Sequence, residues 1–367
     1  MDTVKIGIIG CGNISGNYFR TARNFSVVEC VACADALPER AAQAAAEYGI
    51  PRACSVNELL AMPEISIVVN LTNPQAHKEI SLRAIAAGKH VFTEKPLAVN
   101  RTEGAEILAA AQAAGVRVGA APSTPLGGGL QTCRRLLDEG AIGRPIAASA
   151  FMMSRGHEHW HPNPDYYYQP GAGPMFDMGP YYLTALTTLL GSVKRQSGAA
   201  SILIGERTIT SEPLNGQRIT VNTPDHVAGT LEFANGAIGT IITTFATYAS
   251  KLPRIEIYGT EGTLGVPDPN TLGGPVLLAR GRGEWEELPL SHGHTVGREQ
   301  WGMGVVDMAH ATLTGRAHRQ TGAQAYHVLD LMQGFLECAA TGAYHTLESA
   351  FERPAPLPLG LAEDLLD

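Results

Sequence analysis

The 367-residue chain is 44% hydrophobic and 17% charged, a balance that can bury the cores of about two domains. Its net charge of −8 disfavours nucleic acids and anionic membranes as partners, and no apolar run approaches the ~18 residues of a membrane-spanning helix. Because the sequence shows neither signal-peptide features nor a cysteine framework for disulfides, a cytoplasmic location is expected.

Strand-like and helix-like segments alternate over the first third of the chain. Strands are predicted at Val4–Ile9, Val27–Ala34, Ile65–Leu71, His90–Thr93 and Arg117–Ala120. The helices predicted between them run to about Arg23 and over Pro38–Tyr48, Gln75–Ala87 and Arg101–Ala114. This alternation indicates βαβ units, so the predicted fold class is α/β, with a doubly wound parallel Rossmann sheet in residues 1–122.

From residue 123 onward the strands become longer and show apolar alternation. The predicted elements are helices at Gly128–Glu139, Trp301–Leu313 and Gly322–Ala340 and strands at Val227–Phe233, Ala237–Phe245, Arg254–Tyr258 and Thr263–Val266. Asn235 and Gly236 between the first two strands are a strong hairpin signal. Residues 123–367 are therefore predicted to form an α+β domain with a large, mostly antiparallel open sheet. The apolar alternation of Val227–Phe245 would leave an apolar face exposed, so association of subunits through this sheet is expected.

A glycine-rich turn follows the first predicted strand and opens the first helix. Its glycines allow a tight turn and a close approach of the backbone to a pyrophosphate, at a helix N-terminus that favours anions. Asp35, at the end of the second strand, would bind a ribose 2′-hydroxyl and repel a 2′-phosphate, which favours NAD. Arg40 could instead bind a 2′-phosphate, so NADP remains an alternative. A second alternative is a strand–turn–helix that binds no cofactor. The predicted contacts in the turn are Gly10, Cys11, Gly12, Asn13 and Ile14, and Ser15 stands where a third glycine is usual.

The string Glu94-Lys95-Pro96 follows the predicted strand His90–Thr93. In a doubly wound sheet the carboxyl end of this strand lies over the cofactor crevice. A lysine at that place can polarise a carbonyl group, or relay a proton if its pKa is lowered. Taken alone, a Lys-Pro pair is more often a solvated turn.

The strings GIIGCGNIS, TNPQAHKEI and AGKHVFTEKPLA give the sequence a specific resemblance to one family. The chain resembles the Gfo/Idh/MocA oxidoreductases, which include glucose-fructose oxidoreductase and inositol dehydrogenase, most strongly over residues 4–122. The resemblance resumes at residues 143–150, 171–182 and 255–268. It implies a Rossmann domain with tightly held NAD or NADP, followed by an α/β domain whose open sheet often joins subunits. A homodimer or homotetramer is therefore expected.

The resemblance also implies roles for single residues. Lys95 matches the lysine beside the nicotinamide and the substrate, and family members often have a cis bond between this lysine and the following proline. His77 matches a histidine that follows the turn after the fourth strand, near the nicotinamide ribose. The further predicted cofactor contacts are Thr72, Asn73, Pro74, His77, Glu94, Lys95 and Pro96.

Many family members place an aspartate and a histidine, four residues apart, against the substrate. Asp177 matches the aspartate, whereas Tyr181 stands in place of the histidine. One hypothesis makes Tyr181 the proton donor or acceptor, with a pKa lowered by the Lys95 ammonium. The other keeps Lys95 as acid and base and leaves Tyr181 to bind substrate. Pro180 suits a first helical turn, which would place residues 177 and 181 on one face, although Asp177 is also a candidate N-cap of that helix. Lys95, Asp177 and Tyr181 are the predicted catalytic residues.

A loop rich in histidine and aromatic residues runs from His157 to Tyr168. Its histidines do not have the spacing of common zinc sites, so no metal is predicted. Aromatic rings beside polar groups suit the apolar face and the hydroxyls of a sugar, and a packed loop that covers the sheet is the alternative. The predicted substrate contacts are His159, Trp160, His161 and Tyr168, together with Lys95, Asp177 and Tyr181.

These features predict an NAD(P)-dependent dehydrogenase or reductase. It would transfer a hydride between nicotinamide and a sugar, polyol or related alcohol or ketone while a base takes up the hydroxyl proton. Two alternatives stay open: a redox-neutral sugar transformation that uses bound NAD, and a non-catalytic NAD(P)-binding regulatory protein. Tyr181 slightly favours the regulatory protein, and the intact Glu94-Lys95-Pro96 string disfavours it.

Overall fold

The computed structural model describes residues 3–297, 300–362 and 364–366. The first part of the chain alternates strands and helices, as predicted. Its strands are β1 (Val4–Ile9), β2 (Val28–Ala34), β3 (Arg52–Cys54), β4 (Ile67–Asn70), β5 (His90–Thr93) and β6 (Val118–Ala120). Its helices are α1 (Ser15–Asn24), α2 (Pro38–Tyr48), α3 (Val56–Ala61), α4 (Pro74–Ala86) and α5 (Arg101–Ala114). All six strands are parallel, in the order β3-β2-β1-β4-β5-β6, which confirms the doubly wound prediction.

Local signals in the sequence fix the ends of these helices. Pro38 stands in the first turn of α2, and Gly49 ends that helix in the left-handed conformation. The side chains of Asn73 and Asn100 accept backbone hydrogen bonds at the starts of α4 and α5. Because α4 and α5 begin at such caps, the turns that precede them have defined positions at the carboxyl ends of β4 and β5.

The second part of the chain is built on a nine-stranded sheet. Its helices are α6 (Gly128–Asp138), α7 (Gly173–Asp177), α8 (Gly179–Leu190), α9 (Met303–Thr314) and α10 (Gly322–Thr341). Its strands are β7 (Pro145–Met153), β8 (Val193–Ser201), β9 (Glu206–Thr208), β10 (Arg218–Thr220), β11 (His226–Phe233), β12 (Ile238–Thr244), β13 (Ile255–Gly259), β14 (Gly262–Val266), β15 (Val276–Arg280), β16 (Glu286–Leu288) and β17 (His345–Thr346). The order is β16-β15-β14-β13-β7-β12-β11-β8-β17, with β9 and β10 as a separate ribbon. Within this sheet β7 and β12 pair in parallel and the other neighbours pair antiparallel, so the mostly antiparallel sheet is confirmed.

The apolar side chains of the β11–β12 hairpin face inward, so the expectation of an exposed apolar face is wrong. Val227, Leu231 and Ile241 are at most 1% exposed, because helices cover this side of the sheet and α10 packs on β8. The uncovered side carries Thr230, Thr240 and other small or polar residues, with Ile238 as an exposed apolar residue at the strand end. One-sided burial of an antiparallel sheet produces this alternation without requiring a partner.

The last two helices pack against the first part of the chain. Thr321, just before α10, forms a β-bridge with Gly119, and Arg101 of α5 pairs with Asp330 of α10 at 2.8 Å. The division at residue 122 therefore stays a prediction, since helices from the C-terminal part complete the packing of the first sheet. None of the helices among the described residues is both long and apolar enough to cross a bilayer.

Candidate functional site

The glycine turn lies between β1 and α1, and its two glycines have different roles. Gly10 has a φ of +100°, and a Cβ there would lie 2.6 Å from the backbone of Leu71, so packing requires glycine. A Cβ at Gly12 would meet nothing within 4 Å, because Gly12 borders open space at the start of α1. Asn13 is exposed at the same edge and Ile14 is half-buried. The turn therefore leaves room for a pyrophosphate at the N-terminus of α1, where the helix dipole favours anions.

Asp35 lies at the carboxyl end of β2, beside the turn. Its Oδ2 accepts a hydrogen bond from the Cys11 backbone N–H at 2.7 Å, and its Oδ1 accepts one from the Leu37 N–H at 2.9 Å. These bonds fix a half-buried carboxylate at the rim of the crevice. This position suits the ribose hydroxyls of an adenine nucleotide, so the residues present fit an NAD-type cofactor.

His77 contacts the turn after β4 from the buried side of the turn. Asn73 caps α4 and Pro74 begins it, while the Thr72 hydroxyl donates to the Asn70 side chain at 2.7 Å. His77 is fully buried, with Nδ1 2.7 Å from the Pro96 carbonyl oxygen and Nε2 3.1 Å from the Thr72 carbonyl oxygen. Burial lowers its pKa. The structure thus places His77 as a link between two turns of the crevice rather than on the crevice surface.

Glu94 is buried next to Lys95 and bonds to two different elements. Its Oε1 accepts from the Tyr18 hydroxyl at 2.7 Å, and its Oε2 accepts from the Lys95 backbone N–H at 3.0 Å. The Lys95–Pro96 peptide bond is cis. Because Glu94 joins α1 to the residues after β5, it fixes the backbone from which the Lys95 side chain projects.

Lys95 and Asp177 form the charged centre of the site. Lys95 Nζ lies 2.9 Å from Asp177 Oδ1 and 2.8 Å from the Asp177 carbonyl oxygen. Burial alone would raise the pKa of Asp177 and lower that of Lys95, but the opposite charge of the partner outweighs burial. The pKa of the carboxyl is therefore well below its usual range and that of the ammonium well above, so both groups stay charged. Met178, not Asp177, is the N-cap of α8, so the capping alternative is wrong.

Tyr181 lies next to this pair, in the first turn of α8. Its side chain is buried, and Lys95 Nζ is 5.5 Å from the centre of its ring. Among the described residues its hydroxyl has no hydrogen-bonding partner. Burial raises the pKa of Tyr181, and Lys95 only partly opposes this effect. The expected lowering of the pKa is therefore wrong, because loss of solvation of the phenolate outweighs the charge of Lys95.

His157 is a site residue that the sequence reasoning did not single out. Its Nε2 lies 2.9 Å from Asp177 Oδ2, so the carboxylate is held by an imidazole on one side and an ammonium on the other. Its ring packs on Tyr167, which also lies close enough to Asp177 and Lys95 to interact with their charges. The only signal in the sequence was the density of histidines in the loop after β7, which does not distinguish His157 from its neighbours.

The four loop residues predicted to bind substrate divide into two sets. His159 and Trp160 are exposed at the mouth of the site, and His161 packs edge-on against Trp160 and Tyr167. Burial lowers the pKa of His161. Tyr168 is fully buried, and its hydroxyl donates to Glu158, so the structure places it in the loop's interior rather than in the substrate wall.

A buried ion network anchors this loop to the ribbon of β9 and β10. Arg207 of β9 donates to Glu158 at 2.9 Å and to Asp225 at 2.8 Å, and all three side chains are at most 9% exposed. Arg207 also donates to the carbonyl oxygens of Arg155 and Phe245 at 2.7 and 2.8 Å. The loop that presents His157 is therefore held by charged groups that solvent does not reach.

Ligands of open α/β sheets bind at the carboxyl ends of the strands, and the glycine turn, Asp35 and Lys95 all lie at that edge. The fold and site thus define a dinucleotide-binding protein with a charged centre beside the cofactor crevice. Within the described residues, no group of three or more His, Cys, Asp or Glu side chains is arranged to hold a metal ion.

The chain belongs to the Gfo/Idh/MocA family. Residues 4–121 match the family model described as "Oxidoreductase family, NAD-binding Rossmann fold", and residues 130–265 match the GFO/IDH/MocA C-terminal domain. The protein is accordingly an oxidoreductase with an NAD-binding Rossmann domain, and the resemblance seen in the sequence is confirmed.

Individual relatives extend this assignment. A 1,5-anhydro-D-fructose reductase from Ensifer adhaerens is 30% identical over 290 residues, which cover 77% of this chain and 82% of that protein. An inositol 2-dehydrogenase from Ralstonia nicotianae is 36% identical over 148 residues, 39% of this chain and 44% of that protein. The solved structure of levoglucosan dehydrogenase in complex with NADH matches with a TM-score of 0.82 and 21% identity, covering 95% of this chain and 100% of that chain. At that identity the match shows a shared fold.

Proposed function

We propose that the protein is an NAD-dependent dehydrogenase or reductase that interconverts a hydroxyl and a carbonyl group on a sugar, polyol or similar compound. The observation that carries this proposal is the cluster of Lys95, Asp177 and Tyr181 at the carboxyl end of β5, where the nicotinamide half of a dinucleotide binds in this topology. The names of the relatives, which include an anhydrofructose reductase and inositol dehydrogenases, support this substrate class.

Lys95 is the group that stabilises the reacting oxygen. An ammonium has three N–H donors, and two of those of Lys95 are used by Asp177. No other described residue accepts the third, which leaves it available to the substrate oxygen, on which negative charge develops when a hydride is transferred. Because the pKa of Lys95 is raised, the residue remains a cation throughout rather than giving up its proton.

Tyr181 is the proton donor in the direction of carbonyl reduction. Its raised pKa keeps the phenol protonated near neutral pH, and its hydroxyl is not engaged by another described residue. A protonated phenol beside an ammonium can deliver its proton to the oxygen that the ammonium stabilises. When bound, the dinucleotide supplies or accepts the hydride. In the direction of oxidation the proton returns to Tyr181 only if the residue starts as the phenolate, a form that its raised pKa disfavours, so the arrangement favours carbonyl reduction near neutral pH.

The wall of the substrate site is formed by the loop after β7. Trp160 is 55% exposed and Tyr166 is 42% exposed, while His161 and Tyr167 lie deeper. Exposed aromatic faces beside imidazole donors and acceptors match the alternation of C–H faces and hydroxyls on a sugar ring. Asp35 supports NAD over NADP because a fixed carboxylate repels a 2′-phosphate.

The test begins with nucleotide binding by the purified protein, followed by the absorbance of reduced nicotinamide with a panel of sugars and polyols. Tyr181→Phe is expected to lower kcat by about 10²–10⁴-fold with little change in NAD affinity. Lys95→Met is expected to abolish turnover. The matched control is Tyr182→Phe, since Tyr182 is buried on the same helix but neighbours Arg254 and Asp268 instead of Lys95.

The outcomes separate the three functions. Net NADH formation with one class of substrate, lost in Lys95→Met, supports the dehydrogenase. A changed sugar with unchanged cofactor supports the redox-neutral transformation. Tight NAD binding without turnover supports a regulatory protein, and a Tyr181→Phe variant with near-normal kcat would assign proton transfer to Lys95.

The uncovered face of the nine-stranded sheet is the proposed subunit interface of a homodimer or homotetramer. Its small side chains, among them Thr230 and Thr240, permit close approach of a second sheet. Thr240→Arg is expected to yield a monomer in light scattering, and an unchanged mass would contradict the proposal. A cytoplasmic location is supported by six cysteines that are all free.

A further inference from the structure

We infer that Trp301 is a positioning residue that packs against the ring of Tyr181 and holds its hydroxyl in place for proton transfer. The inference rests on the proposed function, because it takes Tyr181 as the proton donor. It concerns a residue to which neither the sequence motifs nor the comparisons assign a role. The sequence pattern places Trp301 at the start of a helix, whereas the structure places it in the turn before α9, whose N-cap is Gly302.

Tyr181 is held in a different way from two other buried tyrosines. The hydroxyl of Tyr18 donates to Glu94 at 2.7 Å, and that of Tyr168 donates to Glu158. No described residue forms such a bond with the hydroxyl of Tyr181, although this residue is only 8% exposed. A hydroxyl that exchanges a proton with a substrate has to be left without a permanent partner. The direction of the Tyr181 hydroxyl therefore depends on how its ring is packed.

Lys95 and Trp301 are two neighbours of the Tyr181 ring. Lys95 Nζ lies 5.5 Å from the centre of the ring, and the ring of Trp301 lies at a centroid distance of 6.3 Å with an angle of 51° between the two planes. Aromatic pairs at such distances attract each other when they are not stacked face to face. The Tyr181 ring therefore has a charged neighbour, which Asp177 holds in place, and an aromatic neighbour, which limits its movement.

The chain around Trp301 is itself fixed against α1. The Gly302 N–H donates to the Thr21 hydroxyl at 3.0 Å, and a Cβ at Gly302 would lie 2.9 Å from the Tyr18 ring. Trp301 packs against two apolar clusters, one that contains Tyr18 and one that contains Tyr181. Because these contacts belong to the fold itself, the indole offers a fixed surface to the Tyr181 ring.

The experiment compares kcat and KM of Trp301 variants with the substrate identified among the sugars and polyols. Trp301→Ala removes the indole and is expected to lower kcat by about 10–100-fold, the loss that a misplacement of about 1 Å produces, with KM changed less than about threefold. Trp301→Phe keeps a ring beside Tyr181 and is expected to retain kcat within about threefold. The matched control is Trp285→Ala, since Trp285 is 47% exposed beside Gly265 of β14, and both constants are expected to stay unchanged.

A double-mutant cycle shows whether Trp301 acts through Tyr181. In a Tyr181→Phe background the proton donor is already lost, so Trp301→Ala is expected to lower the remaining kcat by less than about threefold. A tryptophan with a merely structural role would lower kcat by the same factor in both backgrounds. Equal factors, or a Trp301→Ala variant with the kcat of the unmodified protein, would overturn the inference. If Trp301→Ala melts at a much lower temperature, Trp301→Leu takes its place, because leucine keeps apolar volume without a flat ring.

Nitration with tetranitromethane tests the packing without substrate or nucleotide. Tyr181 is expected to react about tenfold faster in Trp301→Ala than in the unmodified protein, because the substitution leaves a cavity beside its ring. Tyr182 on the same helix is 1% exposed and serves as the unreactive control, while Tyr248 is 84% exposed and is expected to react equally in both proteins. Peptide mass spectrometry identifies the nitrated residues. An unchanged rate at Tyr181 would overturn the inference whatever the protein binds.

The two readouts separate this inference from the proposed function. Absence of turnover with every substrate overturns the proposed function, and the nitration rates then still decide whether Trp301 packs on Tyr181. Equal losses of kcat in the two backgrounds overturn the inference alone.

Discussion

Replacing Arg207 by methionine tests whether buried charges hold the loop that carries His157. Arg207 is 1% exposed and pairs with Glu158 and Asp225, which are 9% and 0% exposed. Methionine fills much of the volume but leaves the buried Asp225 carboxylate without a cation and Glu158 with only its 3.5 Å contact to Arg155. Breaking a buried pair in this way costs about 3–5 kcal/mol, so Tm is expected to fall by about 4–6 °C in a chain of this length. The assay is calorimetric melting, with limited proteolysis of residues 154–172 as a local readout.

A matched control exists on the same ribbon. Arg218 of β10 pairs with Glu206 of β9, but these side chains are 70% and 44% exposed. Arg218→Met is therefore expected to change stability by less than about 1 kcal/mol. Equal melting temperatures for Arg207→Met and Arg218→Met would refute the reasoning. Recovery of stability in a triple variant that also carries Glu158→Gln and Asp225→Asn would support it.

Three further predictions concern the crevice and its charged pair. Gly12→Ala is expected to weaken NAD binding at least tenfold in calorimetry while the melting temperature stays the same. Gly10→Ala is expected to lower the melting temperature, because of the two glycines only Gly10 would bring a Cβ against backbone. Equal melting temperatures for the two variants would contradict this prediction. Asp35→Ala is expected to weaken NAD more than NADP, and an unchanged ratio of the two dissociation constants would remove Asp35 from the ribose site. Because the pKa of Asp177 is lower in the folded protein, its ionisation stabilises the fold above the pKa of the unfolded chain, about 4, and this contribution is lost as pH falls towards the folded pKa. Because the pKa of Lys95 is higher in the folded protein, its charge stabilises the fold below about pH 10.4, and this contribution is lost at higher pH. The stability difference between the unmodified protein and Asp177→Asn, measured by urea unfolding, is therefore expected to be largest between about pH 5 and 9 and to shrink in acid.

Sequence patterns predicted the Rossmann half because its strands are buried on both faces and its helices carry strong end signals. The bounds of β5, α2 and α5 agree with the predictions, since a cap or a glycine marks the helix ends. The short elements β3 and α3 were missed, because three and six residues are too few to make a periodic pattern. One signal was available for α3, where Ser55 and Glu58 form a capping box.

Side-chain environments were less accessible from the sequence than the fold. Tyr168 has the same residue type as the tyrosines at positions 166 and 167, yet it alone of the three points into the core, because its hydroxyl meets Glu158. The pKa of Tyr181 depends on how completely the ring is buried, which no local pattern encodes. Pairing of His157 with Asp177 joins residues twenty positions apart in different elements, so only the folded chain brings them together.

The way α9 and the chain after it pack has a consequence for biosynthesis. Leu366 is fully buried in the same cluster as Ile6 and Ile8 of β1, and Met303 of α9 belongs to that cluster too. On the ribosome, β1 emerges before α9, and strands β2 to β16 are synthesised between them. The nascent chain therefore carries an incompletely covered apolar surface on the first sheet until α9 has been made, and such a surface is open to chaperones during that interval.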